Sequence, residues 1–140
     1  MTIIILYNRY FFMSDVFKKV LDFIQDTQNE LIIYSKDFNT RLYLNPRVDS
    51  AIMELLKNKK HVSMNYEIPE GTEKILGFIQ SQYPDYFSYS KTKDHTELPD
   101  VIIKDDSGML IFRDLDNPYQ ENSVDRIRSA KAIIQSIKKQ

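Results

Sequence analysis

Cysteine is absent from this sequence, which removes disulfides, thiolate zinc sites, iron–sulfur clusters and cysteine nucleophiles. Histidine is scarce: His61 and His95 are too few for a histidine-rich metal cage, and neither has a Ser or Asp at a spacing that suggests a triad. Mg2+ held by carboxylates is the metal chemistry that remains open. Three scattered glycines, Gly71, Gly77 and Gly108, make no phosphate-binding loop, so P-loop nucleotide hydrolysis is excluded. No apolar run approaches the roughly 20 residues that span a bilayer. The opening MTIIILYNRYFF has no basic n-region, no full-length apolar h-region and no small-residue cleavage site. A secretory signal is therefore not expected, and the cytoplasm or nucleus is the expected location. An excess of either charge is lacking too. Nineteen basic and twenty acidic residues give a net charge of −1, which argues against a histone-like footprint but leaves a local basic face open.

What is present suits one packed domain. A length of 140 residues with 42% hydrophobic and 12% aromatic content fits a single core and excludes a disordered chain. The expected class is α/β (or α+β): a single small domain over residues 13–140, with a mixed sheet, hairpins and about four helices. Residues 1–12 read as an edge strand or a dispensable extension, because Met13-Ser14-Asp15 resembles a second start.

From Ser14, Val16, Val20, Leu21 and Ile24 recur at helical spacing. Leu31–Tyr34 and Arg41–Leu44 read as two strands of a hairpin turning at Lys36–Asn39. Asn45-Pro46 opens a second helix with Val48, Ile52, Leu55 and Leu56 on one stripe. His61 to Ile68 alternates as a half-buried strand. A third helix after Pro69–Thr72 carries Ile75, Leu76, Phe78 and Ile79 and closes at Tyr83-Pro84. Pro84 to Leu98 is irregular, with a short strand at Tyr86–Tyr89. Val101–Ile103 and Met109–Phe112 form a hairpin across Lys104–Gly108, with Gly108 expected at a left-handed turn position. Ser123 caps a last helix whose Val124, Ile127, Ile133, Ile134 and Ile137 are expected on one face. The expected core includes Ile52, Leu55, Ile75, Ile79, Ile102, Ile111, Ile127 and Ile134.

Chemistry concentrates in residues 98–133. Asp100 starts one strand of the hairpin, and Asp114 and Asp116 follow its partner, so three carboxylates are expected near one sheet edge. Such a cluster is costly unless a cation neutralises it. Pro99-Asp100, a hairpin and then Asp114-Leu115-Asp116 resemble the core of the PD-(D/E)xK nuclease superfamily. A subgroup similar to the very-short-patch-repair endonucleases carries an acidic-x-Asp-Gly-x-x-His pattern. Asp114 to Gln120 matches both acids of that pattern, with Asn117 for Gly and Gln120 for His.

The resemblance implies Asp100, Asp114 and Asp116 as catalytic carboxylates, with Asp100 and Asp114 holding Mg2+. It also implies a nucleic-acid-binding helix carrying Arg126, Arg128 and Lys131. Asp116 stands where the superfamily normally has Lys, so weak or no hydrolysis is expected. The expected function is a nucleic-acid-associated, nuclease-like domain, at most a metal-dependent phosphodiesterase or endonuclease. The alternative is a non-catalytic protein-interaction or regulatory module, a host or viral adaptor with a protein partner and no membrane. On that alternative the acids are turn, strand-end and first-turn residues, and the basic helix is an ordinary solvated face. Tyr83, Tyr86, Phe87 and Tyr89, beside Lys91 and Lys93, either stack on unpaired bases or cover the core under an irregular loop.

Overall fold

The computed structural model describes residues 15–36, 46–67, 73–92, 98–113 and 117–138. Residues 15–25 form helix α1. There follow β1 (Glu30–Ser35), α2 (Pro46–Lys57), β2 (His61–Tyr66), α3 (Glu73–Gln82) and β3 (Phe87–Lys91). The chain then continues through β4 (Asp100–Lys104), β5 (Gly108–Phe112), β6 (Tyr119–Glu121) and α4 (Val124–Ile137). The strands make one six-stranded sheet in the order β3-β2-β1-β4-β5-β6. β1, β2 and β3 run parallel, joined by α2 and α3, whereas β4, β5 and β6 add as antiparallel neighbours. This is the single α/β domain with a mixed sheet and four helices that the sequence suggests.

Alternation decides which side chain goes to which face. Leu31 and Ile33 of β1, Val62, Met64 and Tyr66 of β2, Phe87 of β3, Ile102 of β4 and Leu110 and Phe112 of β5 join one core with α1, α2 and α3. Tyr34, Val101, Ile103 and Met109 point the other way, onto Ile127, Ala130 and Ile134 of α4. Three helices therefore cover one face and a single helix serves the other. α4 begins as expected at Ser123, whose hydroxyl accepts the Arg126 N–H.

Several expectations are corrected. The expected hairpin partner of 31–34 is not what the described residues place beside β1, whose two edges are taken by β2 and by β4. Residues 41–44 themselves lie outside the described residues. The short strand expected at Tyr86–Tyr89 forms as β3, shifted to Phe87–Lys91, and the three-residue β6, Tyr119-Gln120-Glu121, is an addition that no apolar run announces. Ile75 is 50% exposed, because α3 turns Leu76 and Ile79 inward and adjacent helical residues cannot share a direction. Ile111 is half-buried against the α4 cluster. Val124 and Ile133 are exposed, leaving Ile127, Ala130 and Ile134 as the buried stripe of α4.

The left-handed residue of the β4–β5 turn is Asp105, with φ 53°, rather than Gly108. Gly108 is needed for space: a Cβ there would stand 3.0 Å from the Lys104 Cε and 3.1 Å from the Phe23 ring. We expect Ile102→Ala, at a fully buried position, to cost about 2–5 kcal/mol of unfolding free energy in urea. Ile75→Ala should stay within about 0.5 kcal/mol of the parent, as exposed positions do. Equal losses at the two positions would contradict this partition.

Candidate functional site

Asp100 stands where the strand order reverses, between the carboxyl end of β1 and the amino end of β4. Its two carboxylate oxygens are both engaged there. One accepts the Ser35 hydroxyl at 3.1 Å and the other accepts the Lys36 N–H at 3.0 Å. Asp100 lies opposite Phe112 in the β4–β5 register, so the chain leaves β5 at this same end through the exposed Arg113. Asp114 and Asp116 lie outside the described residues, and the three-carboxylate site rests on them. Among the described residues, no group of three or more acidic or histidine side chains is arranged to hold a metal ion.

The same end of the sheet collects polar groups on the parallel strands. Asn65 is buried and donates to the Ile33 carbonyl at 3.1 Å and to the Ser63 hydroxyl at 2.9 Å. The buried Thr92 hydroxyl donates to the Tyr66 carbonyl, and the Tyr34 hydroxyl donates to Glu67 at 2.7 Å. Tyr66 donates to Glu73; burial, together with that neighbouring carboxylate, pushes its pKa up to about 12. It therefore stays a neutral donor at any physiological pH.

At the opposite end Asp105 makes a contact that turn propensity alone does not suggest. Its carboxylate accepts the backbone N–H groups of Gln28, Asn29 and Glu30 at 2.9, 2.8 and 2.9 Å, and its own N–H donates to the Glu30 carbonyl. Burial alone would raise its pKa. The amide donors, aided by Lys131, outweigh that and hold it below the ordinary value.

The cations of α4 are met by acids of the same chain. Arg126 pairs with Glu121 at 3.1 Å and Arg128 with Asp106 at 3.4 Å, while Lys131 reaches both Glu30 at 2.6 Å and Asp106 at 2.8 Å. The Lys131 side chain is 19% exposed, against 74% for Arg126 and 66% for Arg128. Of the aromatic cluster, Phe87 is buried, and Tyr83, Tyr86 and Tyr89 pack partly against the core. The Tyr86 ring also meets that of His61, with centroids 5.3 Å apart. His95 and Lys93 lie outside the described residues.

No protein-family model and no curated protein matches this chain. Among solved structures, NucT from Helicobacter pylori superposes with a TM-score of 0.63 at 14% identity, over 89% of this chain and 87% of that one. TrmBL2, an archaeal chromatin protein whose structure shows a novel mode of DNA binding, superposes with a TM-score of 0.66 at 11% identity. The match covers 89% of this chain and 46% of TrmBL2, so the chain spans somewhat under half of that protein's length. At these identities the likeness is one of fold.

The Asp105 contact sets an acid-side dependence of stability. A carboxylate whose folded pKa is lowered stabilises above its unfolded pKa, near 4, and that contribution is lost as pH falls through the folded value. The urea midpoint of the parent should therefore drop on acidification below about pH 4, and less steeply in Asp105→Asn. Asp105→Ala, which leaves three N–H groups without their acceptor, should cost about 1–3 kcal/mol at neutral pH. Identical acid limbs in the parent and Asp105→Asn would remove this assignment.

Proposed function

We propose that this chain is a nucleic-acid-associated domain of nuclease-like architecture that binds without efficient hydrolysis. The observation that carries the reading is the fold, shared over 89% of the chain with a chromatin protein described as binding DNA. Two features favour binding over cleavage. Both carboxylate oxygens of Asp100 already accept hydrogen bonds that fasten β1 to β4, which restrains how it could turn toward a metal, and Asp116 occupies the place of the Lys that the PD-(D/E)xK resemblance would require. If Mg2+ binds, Asp100 and Asp114 are the residues that would share it, and its role would be charge neutralisation.

Phosphate contacts on this reading fall to Arg126 and Arg128. The Arg128–Asp106 pair is solvent-exposed, and such a pair is worth about 0–1 kcal/mol, so a phosphate replaces that carboxylate at little cost. Arg126 is exposed too, but its partner Glu121 is buried, so Arg126 meets a phosphate while keeping that pair. Lys131, half enclosed between two carboxylates, stays where it is. A protein-interaction module is the second reading, favoured by Ile75 and Phe78, 50% and 63% exposed one turn apart on α3.

Fluorescence anisotropy with labelled single- and double-stranded DNA across a salt series tests the proposal. Arg126→Ala/Arg128→Ala should weaken binding and reduce the salt slope by about one to two units. Incubation with Mg2+ or Mn2+ should leave both substrates intact, in the parent and in Asp114→Asn alike. No binding at low salt would transfer the reading to the protein-interaction module. Metal-dependent cleavage lost in Asp114→Asn would make the domain a nuclease instead.

A further inference from the structure

Among the described residues, the face of the sheet served by α4 is only partly covered. One helix is about 10–12 Å wide, whereas six strands at about 4.8 Å span more than twice that. α4 lies over β1, β4 and β5, where the side chains turned to it are Tyr34, Val101, Ile103 and Met109. On β2 and β3 the same face carries His61, Ser63, Asn65, Ser88 and Ser90. Toward the carboxyl ends this polar half is closed, with Asn65 and Thr92 buried and Lys138 bridging to Thr92. Toward the amino ends it opens into a cleft of about 350 Å3, within the range of small-molecule sites, lined by Glu30, His61, Ser63, Asp85, Tyr86 and Ser88 among others.

We propose that this cleft binds one unstacked nucleobase, taken from a single-stranded stretch or end, with the phosphates left outside. This rests on the nucleic-acid reading and names what a site away from the β1–β4 switch would recognise. Serine is not a residue that bare sheet surfaces favour. Ser63 and Ser88 are register partners on adjacent strands about 4.8 Å apart, so two small side chains stand side by side and leave a slot rather than a filled surface. The Ser88 hydroxyl can donate and accept, and the Ser63 hydroxyl, which accepts from the Asn65 amide, can still donate, as the mixed edge of a base requires. Beside them the His61 and Tyr86 rings offer π-faces, on which bases stack irrespective of sequence.

The rim decides the charge of the ligand. Asp85 is exposed, and Glu30 forms one wall with its charge already matched by Lys131. A carboxylate repels phosphate but accepts hydrogen bonds from the exocyclic amines of cytosine, adenine and guanine. The slot therefore suits the neutral, amine-bearing base better than its phosphate.

The test is a ¹H–¹⁵N and aromatic NMR titration of the whole chain with cytidine, guanosine, uridine and cytidine 5′-monophosphate, with duplex DNA binding followed in parallel. We expect cytidine or guanosine to shift the His61, Tyr86 and Ser88 signals, uridine to shift them less, and the monophosphate to bind more weakly than its nucleoside. Ser88→Tyr, which fills the slot from an exposed position, should weaken nucleoside binding about tenfold or more. Ser88→Ala, which adds no bulk at an exposed position, should weaken it about fivefold, so the outcome does not depend on one variant folding. Absence of shifts in the parent, or affinity in both variants equal to the parent's, overturns the proposal. Duplex binding that persists in that case leaves the nucleic-acid reading standing. Nucleoside binding without any affinity for DNA would sink that reading while the cleft survives as a nucleoside site.

Discussion

Two aspartates five residues apart bracket β4 and hold both ends of β1, and the rest of the sheet depends on that hold. Asp105 takes the N–H groups that lead into β1, and Asp100 takes Ser35 and the Lys36 N–H where β1 ends. β1 is the only described strand with a parallel neighbour on one edge and an antiparallel neighbour on the other. A slip of one residue between β1 and β4 would exchange Leu31 and Ile33 with Ile32 and Tyr34, putting the wrong set against α1, α2 and α3. The two carboxylates oppose that slip, because neither could reach its partners in another register. They join segments 64 to 77 residues apart in sequence, and so tie the parallel half of the chain to the antiparallel half.

That long range explains what the sequence discloses and what it hides. Helices α1, α2 and α4, strand β2 and the β4–β5 hairpin are legible, because their signals are local: an apolar period, a cap, a turn. The partner of β1 is not local. A Leu31–Tyr34 run followed by a turn and Arg41–Leu44 looks like a hairpin, yet the parallel neighbour begins at His61. The short strand at β3 is legible but its extent is not, because the residues after Phe87 are Ser-Tyr-Ser-Lys, too polar for an apolar-run test; β6 hides because it is three residues long. In α3 the choice between Ile75 and Leu76 depends on a phase that four apolar residues in five do not define.

The candidate site divides along the same line. Asp100 can be singled out from the sequence as a strand-start carboxylate, but its partners at 35 and 36 cannot, and they give it a second task as a strand fastener. Asp105 looks like an ordinary turn residue until the N–H groups of 28–30 arrive from the far side of the sheet. The basic character of α4 is visible directly in Arg126, Arg128 and Lys131. The acids that answer it come from β1, the β4–β5 turn and β6, which only the fold assembles.

Lys131 joins these threads. It is the most enclosed of the three α4 cations and touches both Glu30, at the amino end of β1, and Asp106, beside the Asp105 that holds the same end. Burial would push its pKa down, but the bonds to Asp106 and Glu30 outweigh that and hold it above the ordinary lysine value. The contact therefore persists until the pH rises through that raised value. Helix, strand and hairpin tip are thus fixed against one another where the uncovered cleft begins. Glu30 serves two ends: its carboxylate meets Lys131, and the residue forms a wall of the cleft whose other side is Asp85 and Tyr86, so among the described residues the ion pair stands where the cover provided by α4 ends.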